Sequence, residues 1–526
     1  MGGKAKQDLV PFGGILPPSP PRKRSHRIRY FPVAVAGFLA LSSVLIFMWF
    51  YRDANRTIRV GPRTTYFPGP LLPDGTVNYV AAYNIMAGKG VTAHNNAAIP
   101  LIRLFRPSPS RLGKHWRLVL KEMHYTPGKG PEPEFMPFQK YLRLHPVAKK
   151  LQTAGGLPLT MGRAVRAHMH PWRQSDDPAL ARYLHSQMGA FAALRRAVRR
   201  RQLFLPASGH HADIGPVGNL LLCCRSIGRA LTARATLDLG RHHVRRALGD
   251  LRAAQRLGAL MGQTPSMIYG LIGQHIARRA MRAELFLVTR PKAGISLALF
   301  KAIAAHRCRR PLWSCPHEFD TGQRLQLLAF VTEMYRVAQG ESRKPLRGAF
   351  PKFGPSLLTD MVNWNSVLRR CNRMMNAIVR AQKLKSLVAA LRVRQFESRH
   401  EFKLRYLRPP EAYLHSTRMM FTLIARMRAS THAAEIIATN GHMQPRILRV
   451  AVALAIYHAK TRTFPASLRD LAPQYIKKIP SDLFTGQPLI YHRVHTGYFL
   501  TCGWKQVTES LKRATASGLV VRYPAP

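Results

Sequence analysis

The chain has 526 residues, of which 82 are Lys or Arg and only 24 are Asp or Glu, a formal charge of +58. A hydrophobic content of 46% belongs to a folded chain and excludes wholesale disorder. So large a surplus of one sign needs bound anions to offset self-repulsion, and so few acids leave little for the paired carboxylates of general acid–base catalysis. Codon bias can inflate Arg and Ala, but it does not by itself remove Asp and Glu.

Residues 1–29 are rich in Pro and Arg (PPSPPRKRSHRIR) and read as a disordered basic tail whose end favours anionic lipid headgroups. Residues 30–51, YFPVAVAGFLALSSVLIFMWFY, carry no charge and are bounded by Arg29 and Arg52. About 20 apolar residues cross a hydrocarbon core, so this stretch is expected to be a transmembrane helix, with Tyr30, Phe31, Trp49, Phe50 and Tyr51 at its interfaces. No small-residue cleavage site comes after it, so an uncleaved signal-anchor is expected. Basic residues on both flanks leave a small bias towards a cytoplasmic N-terminus. The expected setting is therefore a single-pass protein of a bacterial inner membrane with the bulk of the chain on the periplasmic side.

The chain beyond residue 51 is too long for one core of about 100–200 residues, so two or three packed units are expected. Residues 52–165 read as extended and short-helical with a Pro/Gly linker at 106–137. Here Asp74-Gly75 marks a turn, Val77, Val80, Ala81 and Asn84 share a helical face, and Asn95 or Asn96 can cap the helix after it. Residues 166–440 read as an α-helical domain. Asp176 or Asp177 caps a helix with Pro178 in its first turn, and Leu180, Tyr183, Leu184, Met188, Phe191 and Leu194 form its apolar stripe. A helix over 216–239 ends at Gly240, and its successor places Val244, Leu248, Leu251, Ala254, Leu257 and Met261 on one stripe. Short Gly/Pro breaks between such helices predict stacked αα-hairpins, with no fixed repeat period. Residues 441–505 are expected to hold an apolar helix, a capped short helix and a β-hairpin turning at His495-Thr496-Gly497, with Gly497 free to take φ > 0. Residues 506–526 read as a C-terminal tail. The fold class expected is mostly α, with a small C-terminal α+β piece.

The segments PDGTVNYVAAYNIMAGKGVTAHNNAA, HPWRQSDDPALARYLH and VNWNSVLRRCN, together with the ending from Val452 to Gly503, resemble a family of uncharacterised, membrane-anchored planctomycete proteins. The ending is similar to the C-terminal half of type II secretion pseudopilins. The resemblance covers residues 66 to 504 and implies a fold and topology, but no activity. In the pseudopilins an acidic loop near that end can hold calcium. Here GWKQVTES keeps only Glu509, so no metal is expected. A prepilin junction is not expected either, because Gly37-Phe38 lies inside the apolar run with Ser42 where a Glu is required.

No hydrolase elbow, phosphate-binding loop or zinc-protease pattern is present, and no catalytic residue, metal or cofactor is expected. His306, Cys308, Cys315 and His317 have zinc-ligand chemistry at an unusual spacing, and Cys308 and Cys315 can pair across RRPLWS or remain thiols. Six scattered cysteines do not make a disulfide scaffold. The basic runs are the remaining candidates. Arg195, Arg196, Arg199, Arg200 and Arg201, with Arg245 and Arg246, are dense enough to attract phosphates or acidic glycans, and a third run is RCRR at 307–310. Aromatics do not interleave with them, so binding is expected to be salt-dependent and without sequence preference. The expected function is a non-enzymatic envelope scaffold or binding protein engaging anionic lipid, glycan or nucleic acid. The alternatives are an accessory part of a secretion-like assembly, docking protein partners through 441–505, or an enzyme acting on an envelope polymer.

Overall fold

The computed structural model describes residues 35–45, 57–105, 116–123, 125, 133–146, 170–207, 218–290, 297–305, 316–340, 364–382, 386–387, 389, 415–503 and 520–523. Residues 1–55 and 56–526 form two separate units. In the first, α1 (35–45) is helical and leaves Phe38, Leu39, Leu41, Val44 and Leu45 exposed. The rest of the expected span lies outside the described residues. Among the described residues no helix is long and apolar enough to cross a membrane.

The second unit is mostly helical and ends in a three-stranded antiparallel sheet. It opens with α2 (Tyr79–Gly88), α3 (Ala98–Phe105), α4 (Trp116–Glu122) and α5 (Phe138–Leu144). Asn78 caps α2 by accepting from Ala81 N, and Gly75 and Gly90 take the positive φ that the turns on either side need. Of the two asparagines after Gly90, Asn96 is the hub. Its Oδ1 accepts from both Ala98 N and Phe204 N at 3.0 Å, while Nδ2 donates to Phe204 O.

The expected helix from Asp177 onward is two helices, α6 (Pro178–Ser186) and α7 (Met188–Ala197), broken at Gln187. Asp177 is the cap, accepting from Leu180 N at 2.9 Å. The break takes Met188 off the apolar stripe and leaves it 43% exposed. Next come α8 (Gly218–Gly240), α9 (Val244–Met261) and α10 (Met267–Thr289). Arg234 meets Asp250 and Asp238 meets Arg246, so α8 and α9 run antiparallel from the turn at 241–243. Two close contacts of this array are made without side chains. A Cβ on Gly240 would lie 2.1 Å from Trp172 O, and one on Gly258 would lie 2.4 Å from Gly273 O across the α9–α10 contact.

Beyond these stand α11 (Leu297–Ala305), α12 (Pro316–Ala338), α13 (Trp364–Gln382) and α14 (His415–Thr461). On α13, Asn365 accepts from Arg59 N and donates to Thr57 O, and Asn372 donates to the carbonyls of Arg63 and Thr64. These two amides hold the chain over 57–64 to the helix. The helix α14 runs unbroken across 440–441, where the sequence suggests a domain boundary, and carries Pro445 in its interior. Gln274 of α10 packs where a side chain on Gly441 would stand.

A 3₁₀ turn at Leu468–Leu471, closed by a Ser467/Asp470 capping box, leads to β1 (Ile490–Val494) and β2 (Gly497–Thr501). Gly497 pairs with Val494 as the first residue of β2 and is not left-handed, contrary to the expectation for this turn. The presumed tail supplies β3 (Val520–Tyr523), which pairs with β2 through Tyr498↔Tyr523 and Thr501↔Val520. The hairpin is therefore a sheet, and Tyr498, Tyr523 and Phe464 pack ring against ring on it. Asp482, buried, ties the preceding loop by accepting from Phe484 N, Thr485 Oγ1 and Gly503 N. Three hydrophobic clusters fill the unit, and Leu285 and Tyr475 border both the largest cluster and the C-terminal one.

The glycine at 258 separates packing from propensity. Gly258→Ala is expected to lose about 1–3 kcal/mol by forcing α9 from α10. Gly249→Ala, on the same helix with open space around it, is expected to gain about 1 kcal/mol. Urea titrations of the two variants check this, and equal changes would refute the close-contact account.

Candidate anion-binding site

Charge concentrates in the α8–α9–α10 array in two places. The first is built on Asp250, fully buried on α9. Both its oxygens accept from the Arg234 guanidinium of α8, and Oδ1 also accepts from Arg195 Nη1 at 3.0 Å. The Arg234 fork lies 4.2 Å from the centroid of the Phe191 ring, so cation, carboxylate and aromatic face close one unit. Along α8 from this pair, Asp238 stands 3.9 Å from His243 Nδ1 and 4.0 Å from Arg246 Nη1. Burial first, and Asp250 second, hold its carboxyl above the usual range.

The seven arginines expected to bind polyanions divide on this geometry. Arg195 is engaged with Asp250, and Arg200 Nη1 donates to the carbonyls of Ala93 and Asn96 at 2.7 Å each. Arg246 leans towards Asp238. Arg196, Arg199, Arg201 and Arg245 are exposed. The fold brings the two runs together at Asp250, which Arg195 reaches and which Arg246 precedes by one turn of α9. The run at 307–310, and Cys308 and Cys315, lie outside the described residues.

The second concentration involves none of those seven arginines. Ile276 of α10 seats in the space left by Gly228 of α8, where a Cβ would be 2.6 Å from Ile276 Cγ2. Around His275, on α10 beside that contact, stand Arg225 and Arg229 of α8 and Arg278 and Arg279 of α10, with Arg282 one turn of helix beyond Arg278. Arg279 Nε donates to His275 Nε2 at 3.1 Å, which requires a neutral imidazole. Burial first, then Arg279, Arg229, Arg225 and Arg278, push that imidazole down to about 3. The guanidinium of Arg278 is likewise lowered by burial and then by Arg282. Among the described residues no carboxylate pairs with Arg225, Arg278 or Arg282. The signal available in the sequence was the spacing: 225 and 229, and 275, 278, 279 and 282, each share one helical face. Which two faces meet depends on tertiary packing at a single glycine.

Cys223, Cys224 and Cys371 form no disulfide, and burial raises the Cys371 thiol to about 12. Thiols so held are poor nucleophiles. Among the described residues no group of His, Cys, Asp and Glu is arranged to hold a metal ion. No known protein family, curated protein or solved structure matches the chain.

The neutral His275 has a consequence for stability. The unfolded chain takes up a proton on this ring near pH 6.5, whereas the folded chain does so only near pH 3. Stability from this residue is therefore full above about pH 6.5 and falls as the pH drops through that window. Denaturant titrations across the window should show the difference between His275→Gln and the parent chain changing with pH, in favour of the variant at acid pH. A difference independent of pH would mean that the ring protonates freely in the folded state.

Proposed function

We propose that the chain is a membrane-anchored, non-enzymatic envelope protein whose helical body binds polyanions. In this reading residues 30–51 span a bacterial inner membrane, residues beyond 52 lie on the periplasmic side, and stacked αα-hairpins present the basic surface. The observation that carries it is the cluster around His275, where the guanidiniums of Arg225 and Arg278 stand without a carboxylate partner among the described residues. Like charges held together at partial burial cost stability unless an anion joins them.

The acids support a non-catalytic reading. Asp177 and Asp470 cap helices, and Asp482 ties a loop. Asp250 is held by two arginines, and Asp74 bonds Thr76 and Arg336. Each of these has a structural partner in place. The resemblance to the anchored planctomycete family agrees with this topology and adds no activity of its own.

One feature favours the secretion-assembly alternative. Among the described residues β1 is an edge strand, and Ile490 and Val494 on it are 40% and 50% exposed. An unpaired edge of this kind accepts a strand from a partner.

Binding of the full-length chain to heparin, duplex DNA and anionic liposomes across a salt series tests the leading reading. A steep fall of log K with log salt, alike for the three ligands, is expected. Replacing Arg196, Arg199 and Arg245 by Gln should lower the slope on DNA by up to about 2.7. Negligible binding near about 0.15 M salt would reject polyanion binding and leave partner docking through β1 as the better reading.

A further inference from the structure

The C-terminal sheet gives one face to the core and leaves the other open. Tyr491, Tyr498, Leu500, Val521 and Tyr523 turn inward to the C-terminal cluster. Alternation along the strands then places Ile490, His492 and Val494 of β1 on the open face, with Phe499 of β2 and Arg522 of β3 in register beside His492. The Phe499 ring joins this row, its centroid 6.4 Å from that of the His492 ring and 5.8 Å from the Arg522 guanidinium. Ile490 and Val494 flank the row at 40% and 50% exposure, and Gly497 opposite Val494 offers no side chain to cover it. Every second residue of β1 turns its N–H and C=O away from β2, and among the described residues no strand pairs with that edge.

The edge is also of one sign. The three strands carry His492, Arg493 and Arg522 and no acid. Asp470 and Asp482, the carboxylates among the described residues beyond Pro445, are engaged by Ser467 N and by Phe484 N, Thr485 Oγ1 and Gly503 N. Cations on an edge repel a like-charged strand and admit one of opposite charge. A second copy of this chain would bring Arg493 to the pairing and no acid to meet it.

We propose that β1 is the docking edge for an extended acidic segment of a partner protein, which adds to the sheet as a fourth strand. The proposal rests on the partner-docking reading of this end of the chain and narrows it to one class of partner. Main-chain hydrogen bonds along β1 supply the attachment, and the side chains of the two faces supply the selection. On the open face apolar residues of the partner lie beside Ile490 and Val494 and continue the surface begun by Phe499. On the other face an acid lies beside Arg493. The segment recognised is thus an alternation of apolar and acidic residues, the pattern of a strand with one charged face.

The test is binding of short synthetic peptides to the full-length chain in neutral detergent, with amide hydrogen exchange read across residues 490–494. An alternating Val-Glu peptide is expected to bind saturably and to slow exchange in β1. The same peptide fully N-methylated keeps its charge but cannot form the ladder, and should bind at least about tenfold more weakly. Arg493→Glu and Val494→Asp, both at exposed positions and expected to melt with the parent chain, should each weaken the Val-Glu peptide about tenfold. Arg369→Glu, the same charge change at an exposed position on α13, should leave its affinity unchanged. Equal binding of the N-methylated peptide, equal loss with Arg369→Glu, or protection confined to other segments would overturn the edge and leave only general attraction of acids to a basic chain. Tighter binding of a Val-Lys peptide, with β1 protected, would overturn the acidic partner while the docking reading stands. A chain that is dimeric without peptide and becomes monomeric on Arg493→Glu would assign the edge to a second copy and overturn the proposal.

Discussion

The glycines that let α8, α9 and α10 touch are the constraint on which the rest of the large unit depends. With Gly258 and Gly273 facing each other and Gly228 opposite Ile276, the backbones approach until carbonyl oxygens and β-carbons meet. Such contact leaves no room between the helices for long side chains. Small residues such as Ala277 and Ala280 fill the interior, and the arginines of both helices are pushed to the margins. There their stems lie on apolar surface while their heads remain part-covered. The cationic margin is thus a by-product of close packing as much as of composition.

Scarcity of acids shapes the same region from the other direction. A buried carboxylate is tolerable when a guanidinium meets it in the plane, and Asp250 has that partner in Arg234 and a second in Arg195. With 24 acids against 82 basic residues, most arginines cannot have such a partner. Several of the described carboxylates are used where the fold would otherwise leave donors bare, at helix caps, in the turn at Asp74 and in the loop at Asp482. Balancing the remaining charge then falls to solvent ions or to a ligand.

Much of the local structure was legible because it arises from single residues acting on their neighbours. Asp177 with Pro178 announced a helix start, and the stripe from Val244 to Met261 announced α9 with its ends in place. The misses share a different cause. Nothing near Gln187 declares the break that exposes Met188, and the domain boundary expected between 440 and 441 falls inside α14. β3 exists only because β2 offers it an edge, so a short run such as Val520–Tyr523 carries no signal of its own. The candidate site was half legible for the same reason. Arginines one turn apart stand on each helix, but which faces of α8 and α10 meet is decided by a glycine 48 residues away from its partner.

The Asn- and Trp-bearing segments at 78–96, 170–172 and 364–372 are resolved by the structure into fastenings. Asn78 caps α2, Asn96 bridges the start of α3 to Phe204, Trp172 Nε1 donates to Ala233 O and Thr236 Oγ1, and Asn365 and Asn372 clasp the segment at 57–64. Each makes hydrogen bonds to backbone or to a neighbouring side chain. A pattern made of such residues specifies a fold and is silent about chemistry. The chemistry that distinguishes this chain must therefore be sought among the groups that the fold does not consume. Among the described residues Arg225, Arg278 and Arg282 are such groups, the first two of them near His275.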